Sequence, residues 1–402
     1  MALNVKVGLI GVLDMLKFKN MAKVREAAIE AAPAKEITAN YPINNNAKAL
    51  HPDSQKLLIK EIIDHPGADA KSFVLASEDG KPVAYFQAGQ YLSVSMEIEN
   101  SHITRPFSIS SSPKWTEEGK YAITIKRNSD GFASGYAMDH WKVGDKLTVS
   151  GAQGHFNYES LRDAKNVVAL AGGSGITPFL SMAYAIRDGI EDFNLTILFG
   201  SRNEEGILFK DELDAIAKAC DKVKIVHILS DEEKEGYEHG FITAELIKKY
   251  AVAPYSVFIC GPEAMYRFAA DEVKKLDIDP RLIRRELLGA TKKVWEEPGY
   301  PVDCKGKTFQ LKVIQGAATY DISASADESV LVAIERAGIA APSRCRSGEC
   351  GWCRSRLVDG KVFIPKETDG RRWQDTKSGW MHPCATFPIS DLTVEVPGTY
   401  QK

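Results

Sequence analysis

The 402-residue chain has little cysteine, no long apolar run and almost no excess charge of either sign, and each shortage excludes something. Seven cysteines are too few for a disulfide framework. No stretch reaches the ~18 uninterrupted apolar residues of a membrane-spanning helix. The longest N-terminal candidate, residues 7–13, is closed by Asp14. Asp14, Lys17 and Lys19 then stand where a secretory signal needs a small-residue cleavage site, so the expected location is the cytoplasm. Lys and Arg number 51 against 54 Asp and Glu, a net charge of −3 that provides no broad basic field for nucleic acid. Hydrolytic motifs such as His-Glu-x-x-His or a nucleophile elbow are missing, and the eight histidines are scattered.

What is present is a globular composition, 44% hydrophobic and 26% charged, long enough for about three domains. In residues 1–50, Val5, Leu9, Val12, Leu13 and Leu16 recur at helical spacing. Residues 21–32 are rich in helix formers up to Pro33, so two short helices are expected as an N-terminal extension. From 51 to 158, short runs of strand character (56–63, 72–76, 91–97, 121–126, 146–149) are punctuated by Gly and Pro, as in a small antiparallel barrel. From 159 to 292, apolar strands at 167–171, 195–199, 224–229 and 257–260 alternate with helical segments, which predicts a doubly wound parallel sheet. A stretch rich in charge and proline, 293–305, reads as a linker to a last domain, 306–402.

Four of the cysteines form the strongest constellation. Cys345, Cys350 and Cys353 follow a C-x4-C-x2-C spacing, and Cys384 stands further on. Four thiolates, three from one loop, match the plant-type [2Fe–2S] ligand set, with Gly348 and Gly351 letting backbone N–H groups turn toward sulfur. A structural zinc site would pair C-x2-C with a second close pair, which this chain lacks. Next is the run from Gly172 through Gly173 and Gly175 to Thr177 and Pro178, between a predicted strand and a helix, where backbone N–H groups can receive a pyrophosphate. Third is Arg105-Pro106-Phe107-Ser108: a phosphate-binding cation, an aromatic face and a hydroxyl. Gly131-Phe132-Ala133-Ser134, Gly151 to Phe156, and Cys260-Gly261-Pro262 follow in order.

In this ordered series, residues from about 55 to 290 resemble the ferredoxin–NADP reductase superfamily. With a plant-type ferredoxin domain at 306–402, the layout looks like the phthalate dioxygenase reductase type. The resemblance implies a multidomain α+β fold: an antiparallel flavin-binding β-barrel (51–158), a doubly wound α/β NAD-binding domain (159–292) and a β-grasp [2Fe–2S] domain. It puts Arg105 on the flavin phosphate, Phe107 against the isoalloxazine, Ser108 near N5, and Gly131 to Ser134 around the phosphate. Gly173, Gly175 and Thr177 would face the dinucleotide, with Pro178 closing the turn. Cys260, Gly261 and Pro262 would lie at the nicotinamide, and Ser108, Cys260 and Glu286 would be the catalytic residues.

Three departures stand out. Phe107 lacks the hydroxyl of the commoner tyrosine. Ala152 replaces a frequent proline, which leaves FMN possible although His155 and Phe156 favour FAD. Leu288 stands where many relatives place an aromatic over the flavin. Ser230, Asp231, Glu232 and Glu233 follow a strand where users of NADPH tend to carry Ser-Arg, and carboxylates repel a 2′-phosphate. NADH is therefore the expected donor, with Arg202 the counter-indication. The expected activity is electron transfer from NADH through flavin and cluster, one electron at a time, to a partner protein. The terminal component of an oxygenase or demethylase comes first, with an anaerobic reductase or a wiring role in a larger complex as alternatives. Arg344, Arg346, Arg354 and Arg356 beside the cluster loop suggest a positive rim for an acidic partner.

Overall fold

Proline and register explain much of the first β layer. In the computed structural model, which describes residues 9–32, 41–128, 131–287, 289 and 291–398, the chain falls into two units, Met1–Ala47 and Lys48–Lys402. In the first, helix α1 (Leu9–Ala31) runs without a break where two short helices were expected, because nothing between Leu16 and Met21 interrupts helix formation. Helix α2 (Pro42–Leu50) starts on Pro42, a residue preset for the first helical position, in a stretch not expected to be helical. Among the described residues no helix is long and apolar enough to cross a membrane.

In the second unit, β1 (Gln55–His65), β2 (Ala70–Ala76), β3 (Tyr91–Ile98), β4 (Ser101–Ser108), β5 (Lys120–Lys126) and β6 (Lys146–Val149) form an antiparallel sheet in the order β4-β3-β6-β1-β2-β5. A bridge between Ile109 and Ile123 brings its two edges together. Strand β4 was not read from the sequence because Pro106 sits within it. An edge strand tolerates a missing N–H, and β4 is an edge. Leu57, Ile59, Phe73, Leu75, Leu92, Val94 and Ile123 fill the interior, and helix α3 (Phe132–His140) packs beside them.

The next sheet is wholly parallel. Its strands, β7 (Asn166–Gly172), β8 (Asn194–Ser201), β9 (Val223–Leu229), β10 (Glu238–His239), β11 (Tyr255–Cys260) and β12 (Ile283–Arg285), lie in the order β10-β9-β8-β7-β11-β12. Helices α4 (Thr177–Arg187) and α5 (Lys210–Ala219) cover one face through Phe179, Met182 and Leu213. Helices α6 (Ala244–Tyr250) and α7 (Glu263–Lys274) cover the other through Ile247 and Val273. The order reverses between β7 and β11, and the crevice beyond their carboxyl ends is where such sheets bind ligands.

In the last part, β13 (Thr308–Gln315), β14 (Ala318–Ser325), β15 (Ser355–Asp359), β17 (Trp380–Met381) and β19 (Leu392–Glu395) make a mixed sheet in the order β14-β13-β19-β15-β17. Helix α8 (Val330–Arg336) packs on it, and β16 (Val362–Phe363) pairs with β18 (Phe387–Pro388) alongside. The stretch read as a linker has a small core of its own: Val294, Tyr300 and Cys304 are buried against Ala326 and Phe387.

Candidate functional site

The dinucleotide motifs converge at the carboxyl edge of the parallel sheet. Strands β7 and β11 pair with Ala171 opposite Cys260, so the glycine turn and the Cys260-Gly261-Pro262 turn leave the sheet side by side. They touch: a Cβ built on Gly175 would lie 2.2 Å from the Cys260 carbonyl oxygen. Gly173, by contrast, has φ 53° and open space about it, a backbone that a ligand can approach closely. Thr177 donates to the Ser174 carbonyl at 2.9 Å and Pro178 sits in the first turn of α4, so the N-terminal amides of that helix head the crevice.

Beyond β8 and β9 the two following loops are also joined. Ser230 N–H donates to Ser201 O at 3.0 Å and Asp231 N–H to Arg202 O at 2.9 Å. Ser230 Oγ donates to Asp231 at 2.6 Å, while Glu232 accepts from the Glu204 N–H at 2.9 Å. The half-buried Ser201 hydroxyl has no partner.

Glu286 lies just past β12, its N–H bonded to Ile259 O at 3.0 Å. The side chain is buried and, among the described residues, Oε2 has no partner. Burial, then the charges of Glu349 and Cys345, push its carboxyl well above the usual carboxylate range. Burial likewise pushes up the Cys260 thiol, with Glu286 adding to it. Tyr266 on α7, which the sequence did not reveal, accepts from the Gly261 N–H at 3.2 Å and donates to the Glu286 carbonyl, tying the turn after β11 to the glutamate. Arg284, also missed, pairs with Asp163 at 2.7 Å and donates to the His155 carbonyl at 2.6 Å, clamping the end of the barrel to β12. Its signal was an arginine one residue beyond an apolar strand start.

In the barrel, β3 and β4 pair with Tyr91 opposite Ser108, Leu92 opposite Phe107 and Val94 opposite Arg105. Pro106 and Ser108 are buried, and Arg105 and Phe107 half-buried. Phe107 rests on the barrel core. Gly131 opens α3 without a side-chain cap, which leaves its first amides free for an anion. Ala133 is buried beneath, Phe132 is exposed, and Ser134 Oγ donates to Gly131 O at 3.2 Å. Leu288 lies outside the described residues.

A cavity of about 1440 Å³ separates the barrel from the loop of the cluster cysteines, walled by Ser95, Thr104 and Thr148 on one side and by Arg344 and Trp352 on the other. Its volume suits a large cofactor. Arg105, Phe107 and Ser108 flank it through Thr104 and are not themselves its walls.

The cysteine loop meets the segment that follows β12: Gly289 N–H donates to Cys345 O at 3.3 Å, and within the loop Arg344 lies 3.3 Å over the Trp352 ring. Cys345, Cys353 and Cys384 are buried and Cys350 is exposed. Cys353 and Cys384 place their sulfurs 3.4 Å apart, and Cys345 Sγ accepts the Cys350 N–H at 3.4 Å. Cys350 Sγ accepts the Trp352 N–H at 3.5 Å. Hydrogen bonds with Cys350 and Cys384 push the Cys345 thiol down, and the same contacts push the Cys350 and Cys384 thiols up. Gly348, at φ 84°, has no room for a side chain: a Cβ would lie 2.0 Å from Thr368 O. Among the described residues no three such side chains gather round a single-ion point.

The arginines do not form the expected outward rim. Arg346 is buried on Glu335 at 2.6 Å, Arg354 pairs with Asp375 at 2.7 Å and lies 3.7 Å over Trp380, and Arg344 is stacked on Trp352. A guanidinium held in a packed loop needs a counter-charge or a ring nearby. Arg356 is exposed and, among the described residues, forms no ion pair.

Three family models match in chain order: an oxidoreductase FAD-binding domain at residues 56–158, an oxidoreductase NAD-binding domain at 169–271 and a 2Fe-2S iron-sulfur cluster binding domain at 313–388. The chain is 31% identical over 355 residues to the ferredoxin reductase component of 3-ketosteroid-9-alpha-monooxygenase from Mycobacterium tuberculosis, covering 85% of this chain and 95% of that one. It is 26% identical to the glycine betaine monooxygenase reductase subunit of Chromohalobacter salexigens over 81% of this chain and 91% of that one. Among solved structures, phthalate dioxygenase reductase superposes with a TM-score of 0.62 at 26% identity, over 85% of this chain and 98% of that one.

Proposed function

Since the chain belongs to the family of ferredoxin reductase components built from FAD-binding, NAD-binding and [2Fe–2S] domains, and is an NAD(P)H-dependent flavin iron–sulfur oxidoreductase, we propose that it supplies the terminal component of an oxygenase in the cytoplasm with electrons from NADH. When bound, the flavin turns a two-electron hydride donation into single-electron output, and the cluster accepts one electron at a time. One observation carries the reading: the loop that holds three of the four cysteines is tied to the segment just beyond β12 and Glu286, where the Gly289 N–H donates to the Cys345 carbonyl at 3.3 Å.

The residues divide the work. Gly173, Gly175 and Thr177, with the amides opening α4, receive the pyrophosphate, and Cys260, Gly261 and Pro262 seat the nicotinamide. Tyr266 keeps that turn against Glu286, whose burial favours the protonated form of its carboxyl. Arg105 and the amides after Gly131 meet the flavin phosphate, while Phe107 and Ser108 position the ring. Asp231 and its neighbours disfavour a 2′-phosphate.

Reconstitution tests the proposal. With NADH, a terminal oxygenase component of one of the named kinds and its substrate, product should form only when this protein is present, and turnover should fall well below that level when NADPH replaces NADH. A clear NADPH preference would remove the nucleotide assignment. Rapid NADH oxidation by ferricyanide with no oxygenase able to draw electrons would remove the partner assignment.

A further inference from the structure

Where the flavin barrel meets the ferredoxin part, three charges lie in a row away from water. Glu335, on α8, accepts from Arg346 Nη1 at 2.6 Å with one carboxylate oxygen and turns the other toward Arg105 Nη1 at 3.6 Å. The Glu335 and Arg346 side chains are only 4% and 3% exposed, and that of Arg105 23%. Arg346 directly follows the cluster cysteine Cys345 and stands at φ 60°, a left-handed backbone that a residue with a side chain keeps only when its surroundings enforce it. Arg105 precedes Pro106, Phe107 and Ser108 on β4. A single carboxylate therefore links the loop of the cluster thiols to the strand of the flavin motif.

The charge count points the same way. Two guanidinium groups and one carboxylate sum to +1, in a setting that penalises unbalanced charge. Closing α8 onto the cysteine loop would need only Arg346. Arg105 is the surplus cation: it donates to the Thr104 carbonyl at 3.0 Å and has N–H groups left for an anion such as a flavin phosphate.

We propose that Glu335 is a positioning residue: shared by Arg105 and Arg346, it keeps the cluster loop in register with the flavin-binding strand. The two electrons delivered by NADH then leave singly, each to the cluster and on to the external acceptor. The proposal rests on the reductase reading above. Glu335 acts through the two arginines, and its own carboxylate takes no part in hydride or electron transfer.

The test uses the full-length protein loaded with both cofactors. In Glu335→Gln, flavin and iron content, flavin reduction by NADH and ferricyanide turnover should stay within about twofold of the unsubstituted protein. Anaerobic stopped-flow should show the later reduction of the cluster slowed roughly tenfold, the scale on which small misplacements act. Independently of activity, hydrogen exchange should quicken in β4 and in residues 338–346 and stay unchanged in β1 and β2. Glu335→Asp keeps the charge on a shorter arm and should give the same changes at smaller size, so it carries the test if Glu335→Gln assembles its cluster poorly. Cluster reduction at the unsubstituted rate in a fully loaded variant, with β4 exchange unaltered, would overturn the proposal. Failure of NADH to reduce the flavin of the unsubstituted protein would instead overturn the reductase reading.

Discussion

At Gly175 a single methyl group decides whether the dinucleotide turn can form. The Cβ of alanine would stand 2.2 Å from Cys260 O and 2.6 Å from Gly261 N, both backbone atoms that cannot step aside. Gly175→Ala should cost about 1–3 kcal/mol of stability, as overpacking does, and raise KM for NADH while flavin and cluster absorbance stay intact. A variant with unaltered melting and KM would show that the two turns can part freely. Cys384 gives the complementary case. Cys384→Ser should abolish the visible absorbance of the cluster and keep NADH-driven ferricyanide reduction, since Cys384 lies remote from the glycine turn in the chain and serves only the sulfur site; loss of flavin reduction would argue against that division. Such residues could be read from the sequence because their chemistry fixes their spacing: thiols in one loop, glycines between strand and helix. Tyr266 and Glu335 could not, because each acts on atoms far along the chain, and a lone tyrosine or glutamate on a helix face has no pattern of its own.

At the scale of elements, most strands and helices followed from apolar periodicity, and β4 was missed because proline ordinarily ends strands. Only the sheet order, which puts β4 at an edge, explains how Pro106 fits. The seam between the barrel and the NAD-binding part was equally invisible. There β1 ends on His65, which bonds Ser72 Oγ at 2.8 Å and meets Phe209 edge-on, its ring centroid 4.8 Å away. Burial lowers the His65 pKa below 6.5, with Asp64 partly opposing it. The unfolded chain then binds the proton more readily than the folded one, so stability is fully present above about pH 6.5 and is lost as pH falls through the lowered folded value. Melting temperature should therefore fall more steeply on acidification in the unsubstituted protein than in His65→Gln, and matching slopes would contradict this account of the seam.

Across the whole molecule, the order of the three cofactor-binding parts was legible from five motifs in sequence, whereas the direction in which the cysteine loop faces was not. Four arginines near a cluster read as an outward rim, yet the fold turns three of them onto Glu335, Asp375 or an aromatic ring. Charge counted along the chain says nothing about such pairing. What the assembled molecule does place together, within one unit, is the segment just past Glu286, whose Gly289 N–H donates to Cys345 O at 3.3 Å, and strand β4, whose Arg105 lies 3.6 Å from Glu335 beside the cysteine loop. The central claim is that this arrangement conducts electrons internally, and its most direct test is an anaerobic NADH titration followed by visible absorbance and low-temperature EPR. Bleaching of the flavin together with a reduced [2Fe–2S] signal that grows with added NADH is the predicted result. A flavin that NADH leaves oxidised, with no cluster signal at any excess, would contradict it.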